Sequence, residues 1–335
     1  MFPVSSLKDE ENGITKSATG NNKSKYISSK WEELNSVPGC DAKQHRRVTE
    51  FASGNSKSTC KTAFWEEEHR GRMDIRTVET DTCSMDYLCF GHGERPFVII
   101  PGLSVQSVLL SAEAVAAAYR PFTEDHTVYL FDRRKEVSEG YSIADMAGDT
   151  AGAMKHLGLK EADICAASQG GMIAMMIAAQ YHDLVRKLVL ASTTAEMTDE
   201  RYRVPGSWAA LARAGRAEDL FLAFGNFVYP DRVFEGMRTN LLEAAGTVTA
   251  GELERFVILD ESMKNFCALD CLDRISCPVL VIGSRDDRVL GGEASVQIAE
   301  AIPGSILYLY DGYGHAVYDT APDFTRRMMT FFRQA

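Results

Sequence analysis

The chain has 335 residues, 45% of them hydrophobic, and a formal net charge of −11. That length and apolar content suffice for one large core plus an insertion. The acidic balance argues against a nucleic-acid partner, which would call for basic patches, and no apolar run reaches the length of a membrane span.

Residues 1–72 differ in character from the rest of the chain. They hold 12 Lys+Arg against 10 Asp+Glu, which leaves the remainder at −13. The segment is rich in Ser, Lys and Asn, poor in aliphatic residues and without a sustained period. It cannot bury enough apolar surface to offset its ordering entropy, so a disordered N-terminal extension over 1–72 is expected. Ser5-Ser6-Leu7-Lys8 fits a Ser-x-x-Lys pattern but lies in this polar tail and is set aside. The start lacks the apolar stretch of a secretory signal. The eight cysteines show no framework spacing, and reduced thiols in a cytoplasmic protein are expected. Cys267 and Cys271 have no nearby histidine to complete a metal set.

From Phe97 onward strands alternate with helical patterns, which predicts a parallel sheet with helices on both faces. Phe97–Pro101 reads as a strand ending in Pro101-Gly102-Leu103, and His92-Gly93 before it reads as a hairpin turn. Thr127–Phe131 is the next strand, with Asp132 at its end. Ser142 is a candidate N-cap with Asp145 at the capping-box position, opening a helix to about His156 that stops at Gly158. Then comes Asp163-Ile164-Cys165-Ala166-Ala167-Ser168-Gln169-Gly170-Gly171-Met172, an apolar strand, a serine between small residues, and a helical pattern from Met172 to Tyr181. This is the sequence form of a nucleophile elbow, with Ser168 on a sharp strand-to-helix turn. The bland alternative is a Ser/Gly-rich loop without chemistry, because short patterns recur by chance.

Lys187–Ala191 is the next strand. Between Thr194 and Ile275 no strand pattern stands out, and helical stretches fall at 208–213, 218–224, 233–245 and 251–265. Pro278–Ser284 reads as a buried strand followed by Arg285-Asp286-Asp287-Arg288, and Ser305–Tyr310 leads into Gly314-His315. His315 is the only histidine beyond His182. A serine nucleophile needs a base, and the base an orienting carboxylate. The closing helix, Asp323 to Phe332, buries Phe324, Met328, Phe331 and Phe332 by its spacing.

The order Ser…Asp…His, each residue just past a strand, resembles the serine-dependent α/β-hydrolase family of the esterase and lactonase type from about Asp74 to the C-terminus. The resemblance implies an α/β fold, a doubly wound, mostly parallel sheet with a helical cap. The core would be 73–193 and 276–335, the cap 194–275. Asp74–Val78 would be the first strand, and Met73 a candidate start. The implied triad is Ser168, Asp287 and His315. Asp287 is preferred because Asp287-Arg288-Val289 matches the family's Asp-x-Val, although spacing from Gly283 favours Asp286. The implied oxyanion donors are the backbone N–H groups of Leu103 and Gln169. Asp132 resembles a loop-organising position, but Lys135–Ser138 replaces its usual glycine-rich sequel. The cap's aromatics suggest an apolar cavity, with Trp208 and Phe227 as candidate pocket residues; most such aromatics simply pack.

The function this implies is hydrolysis of a small to medium apolar carboxylic ester, lactone or thioester through an acyl-enzyme, acting on a small molecule without cofactor or metal. Alternatives are a C–C bond hydrolase or an aminopeptidase with the same triad, and a non-catalytic small-molecule binder on this fold.

Overall fold

The computed structural model describes residues 75–334; the expectations for residues 1–72 and for Met73 lie outside them. Eight strands form one sheet: β1 (Ile75–Glu79), β2 (Ser84–Gly91), β3 (Arg95–Ile100), β4 (His126–Arg134), β5 (Ala162–Ala167), β6 (Val185–Ala191), β7 (Val279–Ser284) and β8 (Ile306–Tyr310). Their order is β1-β2-β4-β3-β5-β6-β7-β8. Pairing is antiparallel from β1 to β2 and from β2 to β4, and parallel everywhere else.

The central strands are apolar on both sides, as a sheet covered on two faces requires. Val98, Ile100, Ile164, Ala166, Leu188, Leu190, Val279 and Val281 point into one core, and Phe97, Ile99, Cys165, Val189, Leu280 and Ile282 into the other. The first core is closed by α2 (Ile143–His156), α3 (Gln169–Gln180) and α8 (Glu293–Ala301). The second is closed by α1 (Ala112–Tyr119), α9 (Val317–Thr320) and α10 (Phe324–Arg333). Between β6 and β7 lie the four helices α4 (Asp199–Arg213), α5 (Ala217–Val228), α6 (Asp231–Ala245) and α7 (Ala250–Glu261).

The capping box is present at α2: Ser142 N–H donates to Asp145 Oδ2 at 2.9 Å, and Asp145 N–H donates back to Ser142 Oγ at 3.2 Å. The hairpin expected at His92-Gly93 is a correction. β2 and β3 do not pair; β4 lies between them, so residues 92–94 cross over its start. Gly93 is needed there because a Cβ would sit 2.0 Å from backbone atoms of Asp125 and His126. Turn composition marks a change of direction without saying which strand is met next.

Candidate active site

Ser168 ends β5 and opens α3 with φ 52° and ψ −124°. A non-glycine residue with positive φ costs on the order of 1–3 kcal/mol, and the surroundings must hold it. Its N–H donates to Ala191 O at 2.9 Å, and its carbonyl accepts from Thr193 Oγ1 at 2.7 Å. Gly170 follows from the same crossing, because a Cβ there would approach Ile100 O to 2.2 Å and Pro101 O to 2.4 Å. Only a bare backbone lets α3 lie this close to the end of β3.

His315 follows β8, and Asp287 follows β7. His315 Nδ1 lies 2.8 Å from Asp287 Oδ2, with both side chains almost fully buried. The other carboxylate oxygen accepts from the N–H groups of Val289 at 2.8 Å and Leu290 at 3.1 Å. Burial pushes the Asp287 carboxyl up, but the attraction and hydrogen bond of His315 and these two amides outweigh it. The group is held below the ordinary carboxylate value.

Asp286 is bound differently. It accepts from Ser284 Oγ, from Gly312 N–H at 2.9 Å and from Gly314 N–H at 3.3 Å. It thus clasps the loop that carries His315 to the end of β7. The structure therefore joins His315 to Asp287, and gives Asp286 a structural partner set.

Ser168 and His315 open onto one cavity of about 360 Å³, counting the space at its mouth. Gly102 and Leu103 form part of its wall. The N–H of Gln169 is the first of α3, where a helix has no internal acceptor and presents its positive end. Pro205, Trp208, Phe224, Val228 and Met263 come down from the insertion, so the lining is mostly apolar. Trp208 is on this wall; Phe227 is not and packs against the core instead. Phe224 and Val228 share the inward face of α5 at i, i+4, and Phe227 is turned about 100° from Val228. Phe224 stood among the cap aromatics of the sequence but carried no signal that set it above Phe227.

The insertion is tied to the loops it covers. Ala316 N–H donates to Val228 O at 3.0 Å, and Arg288 Nη2 to Tyr229 O at 3.0 Å. Gln169 Nε2 donates to Leu259 O in α7 at 2.6 Å.

Residues 95–322 match the family described as alpha/beta hydrolase fold. The chain belongs to the alpha/beta hydrolase fold family. A Pseudomonas savastanoi protein provisionally named the carbamate hydrolase RutD is 24% identical over 72% of this chain and 95% of its own length. Among solved structures, the α/β hydrolase MGS-M2 from a Medee basin deep-sea metagenome library superposes with a TM-score of 0.70. It is 21% identical and covers 78% of this chain and 98% of its own. The enol-lactonase of Burkholderia xenovorans LB400 gives a TM-score of 0.67 at 20% identity, covering 77% and 100%. The family match and the superposed structures agree on an α/β-hydrolase fold. Among the described residues no helix is long and apolar enough to cross a membrane.

Proposed function

We propose that the chain is a serine hydrolase that cleaves small to medium apolar carboxylic esters, lactones included, through an acyl-enzyme. The observation that carries this is the His315–Asp287 pair at 2.8 Å, opening onto the cavity into which the strained turn presents Ser168.

Asp287 accepts the Nδ1–H of His315 and so fixes the tautomer that leaves Nε2 as the base. His315 takes the Ser168 proton as Oγ attacks the substrate carbonyl. The developing oxyanion is held by the N–H groups of Leu103 and Gln169, with the N-terminus of α3 behind them. His315 then returns the proton to the leaving alcohol. Water, activated by the same imidazole, attacks the acyl-enzyme and frees Ser168. Apolar walls exclude water and favour apolar groups flanking the carbonyl.

Among the described residues that line this cavity none is acidic. Glu252 is spent on the N-cap of α7, where it accepts from Thr249 N–H at 2.7 Å, and on Gln106. Recognition of a free amine, which an aminopeptidase needs, therefore has no support in the lining.

A fluorophosphonate probe is expected to label the protein, and Ser168→Ala to abolish both labelling and hydrolysis of p-nitrophenyl esters. Labelling that survives the substitution would sink this assignment.

A further inference from the structure

A second, polar pocket lies against the first. Gly102 belongs to the walls of both, and a Cβ on Gly102 would stand 3.8 Å from Ser168 Oγ. The polar pocket thus begins at the oxyanion loop. Arg133, Arg255, Asp132, Ser104 and Gln106 form much of its remaining wall.

Two arginines and one aspartate line this pocket, and the Glu252 carboxylate stands behind the wall on the Gln106 amide at 3.2 Å. Asp132 accepts its neighbour's backbone N–H at 2.7 Å and faces Arg255 Nη2 at 4.0 Å. Arg255 otherwise donates to the carbonyls of Arg133, Arg134 and Lys135. Arg133 is 5% exposed. Its Nη2 donates to Pro101 O at 2.7 Å and Gln169 Oε1 at 3.3 Å, and its Nε is buried without an acceptor. Among the described residues it forms no ion pair. Burial pulls its pKa down to about 10, opposed by Asp132, so it remains a cation at neutral pH. A buried charge without a counter-ion is costly unless something supplies one. With both Nη2 hydrogens taken, the remaining N–H groups of this guanidinium can each give a carboxylate oxygen a charge-assisted hydrogen bond.

We propose that this pocket binds a carboxylate, and that the carboxylate belongs to the substrate, on a short chain leading from the scissile carbonyl. The inference rests on the serine-hydrolase reading and narrows its substrate class to esters or lactones with an apolar middle and an acidic end. Arg133 is the principal cation, with Arg255 on the same wall and the Ser104 hydroxyl as a further hydrogen-bonding group.

The test compares monomethyl glutarate with methyl pentanoate, which differ in ending on a carboxylate or a methyl group. The flanking monomethyl succinate and adipate are included to allow for chain length. At low ionic strength kcat/KM is expected to favour the best anionic ester by about tenfold or more. Arg133→Met should remove that preference, and Arg133→Lys should restore part of it. Ser104→Asp, at a half-buried position, places the chain's own carboxylate in the pocket and should reverse the preference without touching Arg133. Wild-type preference for the neutral ester would overturn the proposal. So would equal loss on both esters in Arg133→Met, which would leave Arg133 only holding Pro101 and Gln169 in place. Free glutarate should inhibit competitively; non-competitive inhibition or activation would mean a separate ligand and defeat the assignment to substrate. Calorimetry of glutarate with Ser168→Ala reads the pocket without turnover. Binding there with no esterase activity in the wild type would fault the hydrolase reading and not the pocket.

Discussion

Asp286 and Asp287 are adjacent, carry the same side chain and do different things. Asp287 faces an imidazole and two amides, whereas Asp286 faces a hydroxyl and the backbone of the His315 loop. Asp287→Asn is expected to lower kcat on the order of 10²-fold or more, because the amide favours the wrong imidazole tautomer. Asp286→Asn should lower the melting temperature while costing much less in kcat, and a larger kcat loss at Asp286 would reverse the roles. Gly170 gives a second residue-level test. Gly170→Ala must push α3 from the carbonyls of Ile100 and Pro101 and should destabilise by about 1–3 kcal/mol, as overpacking does, measured by urea denaturation. Ser168 and Gly170 were legible in the sequence from the small residues that a sharp strand-to-helix turn demands, and His315 from its place after the last strand. Asp287 was preferred over Asp286 only by its likeness to the family's Asp-x-Val. Arg133 was not legible. Its position in the run Asp132-Arg133-Arg134-Lys135 gives no sign of which arginine is buried, since that depends on the β4 face each takes.

Asp260 makes the insertion sensitive to pH. It is fully buried in α7, accepts from Tyr202 in α4 at 2.9 Å and has one oxygen without a partner. Burial pushes its pKa up to about 7, the Tyr202 hydrogen bond opposing. Between the ordinary aspartate value and about pH 7, the folded protein keeps a proton that the unfolded chain has lost. Stability from this group is therefore lost as pH rises through that window. Asp260→Asn should raise the melting temperature relative to wild type at pH 8 and not at pH 5. A constant difference across that range would refute the buried, proton-holding carboxyl. The same insertion separates lining from packing. Trp208→Ala should alter kcat/KM differently for short and longer esters, while Phe227→Ala, off the wall, should scale all esters alike. α4 is also where sequence reading fell short. The helical stretch expected at 208–213 begins at Asp199 and runs through Pro205, because packing against α7 and α5 can outweigh one missing backbone hydrogen bond.

The two cores explain how the whole molecule holds together, and they were the most legible feature. Alternate residues of each central strand go to opposite faces, so unbroken apolar runs predict a doubly covered sheet. The last helix closes the second face. Phe324, Met328, Phe331 and Phe332 are buried, Lys187 Nζ donates to Phe331 O at 3.0 Å, and Arg186 Nη2 to Phe332 O at 2.9 Å. Phe332→Ala should cost about 3–5 kcal/mol in denaturant unfolding. A loss under about 1 kcal/mol would show that this face can collapse around the gap. Both faces of the sheet are covered by helices from the span between β1 and α10. The polar, Ser- and Lys-rich composition of residues 1–72 offers little apolar surface to add to either core. A protein beginning at Met73 is therefore expected to keep the melting temperature of the full chain within about 2 °C, the shift that no more than about 1 kcal/mol produces in a domain of this size. Its kcat/KM on p-nitrophenyl esters should be unchanged. A fall of many degrees would mean that the first 72 residues pack on the domain, and a loss of activity alone would mean that they reach the cavity.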